Sequence, residues 1–231
     1  MTTEQVVAAA CCAGPAAVGG LLVPWLVTRL PEPEDADDDK LPYAVLAAGR
    51  RLGIRCAVAA GVVAGSIGAV LGPDWSLPVW VYLAVVGVGL GYVDWRTKLL
   101  PYRLVAPSYP IVALLLVGAA AATADGDALL RAVIAGAATF AIFYALWFVY
   151  PPGMGYGDVR LSGVLALALG WLGWSQLVVG VYAGFLLGAL VGGALAVAKV
   201  VDRRSYPFGP FMLAGTWLGV VTGPLTAPWL G

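Results

Sequence analysis

Residues 104–122 read LVAPSYPIVALLLVGAAAA, a run of 19 positions without a charged side chain. A helix of roughly 20 residues crosses the hydrocarbon core of a bilayer, which is about 30 Å thick. This stretch therefore predicts a transmembrane helix.

The rest of the chain repeats that pattern. Hydrophobic residues make up 61% of the 231 positions, charged residues make up 11%, and the mean hydropathy is +0.90. A soluble domain has roughly 25% charged residues. Eight apolar runs lie at 5–27, 54–72, 78–93, 104–122, 129–150, 159–174, 177–199 and 209–227. We predict an all-α integral membrane protein with about eight transmembrane helices and no large domain outside the bilayer.

Glycines recur within these runs, where a missing side chain lets two helices approach closely in lipid. The sets that we predict to pack in this way are Gly87, Gly89 and Gly91, and Gly188, Gly192 and Gly193.

The basic residues predict the orientation of the chain. No Lys or Arg precedes the first run, so we expect a retained helix rather than a cleaved leader. With the amino terminus outside, 12 of the 13 basic residues lie on the cytosolic side and Arg131 alone lies outside. The positive-inside rule then places both termini outside. We predict a first transmembrane helix at 1–27, a short acidic cytosolic loop at 28–53 and a seven-helix core at 54–231.

The composition excludes several kinds of chemistry. The chain has no histidine, so a Ser-His-Asp triad, a HExxH zinc site or a bis-His haem site is excluded. Cys11, Cys12 and Cys56 lie in apolar stretches without a CxxC pair. We therefore expect no metal site and no cofactor. The 13 basic and 13 acidic residues balance, which argues against a nucleic-acid partner.

Two aspartates border the apolar runs. Asp94 directly follows the third run, and Asp158 closes the stretch Gly153–Asp158 before the sixth. Two predicted helices and one outside loop lie between them, so both carboxylates return to the cytosolic face. A carboxylate at a helix end is often a cap or the partner of a nearby arginine, here Arg96 or Arg160. Gly155 and Gly157, however, leave space beside Asp158 for a substrate strand.

Amide hydrolysis by an aspartyl dyad needs two carboxylates and no histidine or metal. The ionised Asp takes a proton from water, while the protonated Asp donates to the carbonyl oxygen. Like charges a few ångströms apart in a poorly hydrated site make the pair share one proton.

Three blocks, found in order, resemble the type IV prepilin peptidases, membrane aspartyl proteases of the GxGD class. Residues 94–101 (DWRTKLLP) resemble the D-x-R-x-x-x-I/L-P block, and residues 155–161 (GYGDVRL) resemble the GxGDxK block. Residues 206–211 (YPFGPF) resemble the PFGP block that opens the last helix. The resemblance implies that Asp94 and Asp158 are the catalytic pair. It leaves site-shaping or substrate-binding roles for Gly155, Gly157, Arg96, Arg160, Pro207, Phe208, Gly209 and Pro210.

The resemblance also implies a substrate and a location. The family removes a short basic leader from pilin or pseudopilin precursors at the cytosolic face of the bacterial inner membrane. Arg160 stands where the family usually has lysine, which keeps the charge. The loop at 28–53 lacks the two CxxC pairs of the larger members that also methylate the new amino terminus, so we expect a peptidase alone. The acidic run at 31–39 is expected to be solvated or to contact a cationic partner.

Other interpretations stay open from the residues alone. Pro207–Pro210 is equally typical of a chain break before a helix, with proline in its first turn, or of exposed backbone that binds substrate as an added strand. A small carboxylate-dependent transporter also keeps intramembrane acids, usually near the bilayer midplane. Presenilin-like proteases share GxGD, but their aspartates lie on consecutive helices. A noncatalytic subunit of a pilus or secretion assembly is a further alternative.

The charge asymmetry predicts the topology. Reporter fusions at Thr123 and Gly231 should report an outside location, and fusions near Asp38 and Arg203 a cytosolic one. A cytosolic carboxyl terminus would contradict the eight-crossing topology from which the shared face of the two aspartates is predicted.

Overall fold

The computed structural model describes residues 1–31, 42–198 and 207–230 of the chain. Their contacts group them into two compact units, Met1–Arg103 and Leu104–Gly231. The acidic positions 32–39 of the predicted loop lie outside the described residues. Each unit is all-α within the part of the chain that the structure describes.

The first unit consists of five helices, α1 (Thr3–Leu21), α2 (Val23–Thr28), α3 (Tyr43–Ala47), α4 (Leu52–Leu71) and α5 (Leu77–Thr97). A capping box starts α1. Thr2 Oγ1 accepts a hydrogen bond from the Gln5 N–H at 3.3 Å, and Gln5 Oε1 accepts one from the Thr2 N–H at 2.9 Å.

Small side chains form the contact between α1, α4 and α5. The buried cluster at this contact consists of Cys12, Ala16, Ala60, Ala64 and Ala84. Gly20 lies so close to α4 that a Cβ there would be 2.6 Å from the Ala57 Cα. Because lipid tails are as apolar as leucine, such close packing rather than hydrophobic burial holds membrane helices together.

The second unit contains α6 (Tyr102–Thr123) from Leu104 onward, α7 (Gly126–Val149), α8 (Tyr156–Leu172), α9 (Trp174–Leu187), α10 (Gly193–Val197) and α11 (Gly209–Leu230). A 3₁₀ turn at Pro151–Gly153 precedes α8, and a π-helical segment at Gly188–Gly192 joins α9 to α10.

The all-α membrane fold predicted from the sequence is confirmed, since every predicted apolar run coincides with a helix. Among the described residues, six helices are long and apolar enough to cross a membrane: Thr3–Leu21, Leu52–Leu71, Leu77–Thr97, Tyr102–Thr123, Gly126–Val149 and Trp174–Gly192. The run at 159–174 corresponds to α8, which has 17 residues.

Two details of the sequence interpretation need correction. The region predicted as a loop at 28–53 contains the short helix α3, whose Tyr43 and Leu46 are buried. The prediction that Gly193 packs closely against another helix is wrong. Apart from its chain neighbours and the backbone of its own helix, no described atom lies within 4 Å of the place that a Cβ at Gly193 would occupy. Gly89 does pack closely, since a Cβ there would lie 3.3 Å from Val23 Cγ1.

Helix α8 is the most enclosed helix described, with 12 of its 17 residues buried. Glycine and alanine again form its contact with α7, since a Cβ at Gly170 would run into the Ala135 methyl group. At the carboxyl end of α8, Arg131 of α7 donates from Nε to the Gly170 carbonyl at 2.8 Å and from Nη2 to the Trp171 carbonyl at 2.6 Å. These carbonyls lack partners within the helix, so Arg131 caps α8.

Gly20 and Gly14 of α1 form a matched pair for testing this packing. Alanine is a better helix former than glycine by about 1 kcal/mol, so Gly14→Ala, where nothing lies within 4 Å, should leave stability unchanged or raise it. Gly20→Ala should instead lower the thermal unfolding midpoint of the detergent-solubilised protein by about 3–10 °C, because overpacking costs about 1–3 kcal/mol. Equal midpoints for the two variants would contradict the α1–α4 contact.

Candidate active site

Asp94 lies one turn from the end of α5 and is only 3% exposed. The helix ends tightly at this point. Lys98 adopts a left-handed conformation with φ of 57°, and its N–H donates to the Asp94 carbonyl at 2.7 Å. The buried Thr97 hydroxyl donates to the Val93 carbonyl at 2.8 Å. The backbone that carries the Asp94 carboxylate is therefore fixed by local hydrogen bonds.

The surroundings of α5 in the first unit leave open space next to this end. Arg96 is exposed. Tyr92 donates to the Leu46 carbonyl at 3.0 Å and so ties α3 to α5. Directly after α5, a cavity of about 310 Å³ is lined by residues that include Tyr43, Leu99 and Pro101. This volume is large enough for a peptide side chain.

Asp158 is the third residue of α8 and is 7% exposed. The chain reaches it through the Pro151–Gly153 turn and an extended Gly155, with φ −71° and ψ 143°. Oδ2 of Asp158 accepts a hydrogen bond from the Gly155 N–H at 3.1 Å. A Cβ at Gly155 would lie 3.1 Å from that same oxygen, so the glycine leaves the space that the carboxylate uses.

The structure thus confirms the capping interpretation of Asp158, which satisfies an N–H at the start of α8. Capping does not conflict with chemistry. The amino end of a helix is its positive end, and an N–H bond to a carboxylate favours the ionised form.

Arg160 follows Asp158 by two positions and is held by aromatic groups. Its guanidinium carbon lies 4.4 Å from the centroid of the Tyr156 ring, a cation–π arrangement. The Tyr156 ring lies 5.0 Å from that of Trp147, centroid to centroid. The Arg160 carbonyl accepts a hydrogen bond from Tyr109 Oη at 2.7 Å. The cation therefore lies in an aromatic cluster beside the first turn of α8.

The block at Pro207–Pro210 opens α11, whereas Tyr206 lies outside the described residues. Gly209 is the first residue of α11, and Pro210 lies in its first turn, where a missing N–H costs nothing. The Phe208 carbonyl accepts hydrogen bonds from the N–H groups of Phe211 and Met212, at 3.0 and 3.1 Å. The helix-start interpretation of this block is confirmed.

The Phe208 side chain joins α11 to its neighbours. Its ring lies 5.3 Å from that of Phe185, which lies 5.4 Å from that of Phe143. Phe208, Ser162 and Thr216 help to line a cavity of about 20 Å³ inside the second unit. That volume suffices for a single water molecule.

The predicted site residues therefore fall into two groups. Gly155, Gly157, Asp158 and Arg160 lie together at the start of α8, in the same unit as Pro207–Pro210. Asp94 and Arg96 lie at the end of α5 in the other unit. Among the described residues, no three Cys, Asp or Glu side chains form a group that could hold a metal ion. Sequence reasoning missed Tyr109 and Tyr156, which hold the start of α8.

The fold and these residues define a helical membrane protein with buried aspartates at helix ends. The chain belongs to the type IV leader peptidase family, whose profile matches residues 80–197 and so includes both Asp94 and Asp158. The block at Pro207–Pro210 lies beyond the matched residues. No solved structure matches the chain.

Curated relatives come from several bacteria. The chain is 28% identical to a prepilin leader peptidase/N-methyltransferase of Aeromonas hydrophila over 69% of its own length and 54% of the relative. For the protein of that name in Pseudomonas putida the identity is 32%, over 74% of this chain and 57% of the relative. The chain spans about half the length of these relatives. It is 34% identical to leader peptidase HopD of Escherichia coli over 65% of this chain and 94% of that protein.

Charge at Arg160 is expected to matter for cleavage of a co-expressed pilin-like precursor. Arg160→Lys should keep most of the cleavage, because a lysine also lies favourably over an aromatic face. Arg160→Glu should lose most of it. Arg50→Glu reverses an exposed charge on the same predicted face and serves as the control. Normal cleavage by Arg160→Glu would leave Arg160 with a role in topology alone.

Proposed function

We propose that the chain is an aspartic endopeptidase of the prepilin leader peptidase type, with Asp94 and Asp158 as its catalytic pair. The observation that carries this proposal is the buried Asp158 at the start of α8, within a G-x-G-D sequence that the family profile covers. Asp94 is equally buried, and it lies on a second helix whose carboxyl end the profile also covers.

The helix ends support different roles for the two carboxylates. Asp158 lies at the positive amino end of α8 and accepts the Gly155 N–H, so it is the ionised member and the general base. Asp94 is then the other member of the proposed pair, which holds the shared proton and acts as the general acid.

Hydrolysis then follows from these roles. Asp158 takes one proton from water as the water oxygen attacks the scissile carbonyl carbon, and Asp94 donates its proton to the carbonyl oxygen. When the tetrahedral intermediate collapses, the C–N bond breaks. The amine leaves with the proton held by Asp158, and a hydroxyl proton of the intermediate returns to Asp94. The pair ends with the single proton it began with.

The substrate in this proposal is a pilin-like precursor with a short basic leader before an apolar helix. The names of the relatives support this substrate class. The cavity lined by residues just after α5 and the aromatic cluster around Arg160 offer surfaces for the peptide. The predicted topology places this chemistry at the cytosolic face of the bacterial inner membrane.

We further propose that the chain cleaves without methylating. It contains no CxxC pair, and leader peptidase HopD, which it covers almost completely, is named for cleavage alone. The proposed division into a first helix at 1–27, an acidic loop at 28–53 and a core at 54–231 leaves little room for a methyl-donor site.

Substitution of each aspartate by asparagine distinguishes a catalytic role from a helix-capping role. The amide oxygen of an asparagine at position 158 would still accept the Gly155 N–H, but the side chain would not ionise. Asp94→Asn and Asp158→Asn should each abolish cleavage of a co-expressed precursor while protein level and membrane insertion stay unchanged. The double variant should be no worse than either single one, because paired residues act as one unit. The purified wild-type protein should show a bell-shaped pH profile.

Asp74→Asn is the matched control, because Asp74 also serves in a local hydrogen bond, to the Ser76 N–H at 2.7 Å, away from the proposed site. Measurable turnover by well-inserted Asp158→Asn protein would refute the assignment. It would leave Asp158 as a helix cap in a noncatalytic membrane subunit.

A further inference from the structure

Tyr109 of α6 contacts the helix that carries Asp158. Its hydroxyl donates to the Arg160 carbonyl at 2.7 Å, two residues beyond the aspartate. A carbonyl oxygen has two lone pairs, so it accepts this bond in addition to the usual bond within α8.

Gly163 provides an independent observation at the same place. A Cβ at Gly163 would collide with Tyr109 Oη and would lie 3.3 Å from the Phe140 Cβ. The tyrosine hydroxyl therefore occupies a notch in α8 that exists because residue 163 has no side chain. The hydrogen bond thus links α8 to α6, and the notch receives the Tyr109 hydroxyl.

We propose that Tyr109 is a positioning residue that sets the rotation of α8 and thereby the direction of the Asp158 carboxylate. This inference rests on the proposed function. Asp158 precedes Arg160 on the same helix within one turn, so a rotation of α8 moves its carboxylate directly. Catalytic groups that are misplaced by about 1 Å lose up to about 100-fold in rate.

Removal of the hydroxyl tests the hydrogen bond alone. Tyr109→Phe should lower kcat for leader cleavage by roughly three- to tenfold, which corresponds to the net strength of one neutral hydrogen bond, with KM unchanged within about twofold. Tyr182→Phe removes the hydroxyl of a tyrosine that is 72% exposed in the same unit, and it should behave as wild type. A wild-type kcat for Tyr109→Phe would overturn the proposal.

A rescue experiment tests the notch. Gly163→Ala should reduce kcat more than Tyr109→Phe does, because the new methyl group displaces the hydroxyl. Gly118→Ala, at a glycine of α6 with nothing within 4 Å, is the control. Adding Tyr109→Phe to Gly163→Ala removes the clashing hydroxyl and leaves the ring carbon Cζ at 3.2 Å, so it should restore kcat toward the level of Tyr109→Phe alone. A Gly163→Ala defect that Tyr109→Phe does not relieve would overturn the proposal.

A measurement that does not depend on cleavage tests the positioning role of Tyr109 separately from the proposed peptidase function. In a background with Cys11, Cys12 and Cys56 replaced by alanine, Gly157→Cys places a thiol next to Asp158. Its alkylation rate with a water-soluble maleimide should change at least about threefold on Tyr109→Phe and not on Tyr182→Phe, since the same hydrogen bond is lost. If the wild-type protein does not cleave, the proposed function fails while this rate still tests the positioning. An unchanged rate would refute the role of Tyr109 whatever the cleavage result.

Discussion

A helix end that is buried in a protein has no water to satisfy its unpaired N–H and C=O groups, so neighbouring groups must provide partners for them. Helix α8 meets this constraint with charged side chains at both ends. Arg131 caps the carboxyl end through two carbonyls, and Asp158 caps the amino end through the Gly155 N–H. One of these caps is the residue proposed to do the chemistry. The structural requirement and the candidate site therefore coincide at a single carboxylate.

This coincidence explains the glycines around Asp158 and along α8. Gly155 is extended and leaves the space that the carboxylate oxygen occupies, and Gly163 leaves the space that the Tyr109 hydroxyl occupies. Gly170 allows α7 to approach closely enough for Arg131 to reach the last carbonyls. Each missing side chain thus lets a polar group reach the backbone of α8. The same small residues thus allow both close packing and hydrogen bonding to polar groups.

The sequence predicted the helices well and the contacts between them poorly. A long apolar run can be recognised from neighbouring residues in the sequence, and all eight runs coincide with helices. Helix α3 is short and borders the acidic loop, so the sequence did not predict it. The sequence predicts that Arg131 is the lone basic residue outside, but its capping role depends on carbonyls 39 and 40 positions further along the chain. The role of Tyr109 was not predicted either, because a tyrosine in an apolar run has no sequence pattern that indicates its hydrogen-bond partner. The residues next to Asp94 and Asp158 in the sequence were enough to select them as site candidates, and both are buried. Their pairing stays a prediction.

The two helix ends also indicate how a chain without histidine could differentiate two identical side chains. A charge near a helix terminus gains or loses about 0.3–1 kcal/mol, and up to about 2 kcal/mol when it is partly buried. In the proposed pair, Asp158 lies in the first turn of α8, whereas Asp94 lies one turn from the end of α5, so the two carboxylates have different surroundings. An aspartyl pair needs one member that holds a proton and one that accepts it. In the proposed pair, the Gly155 N–H and the amino end of α8 both favour Asp158 as the acceptor.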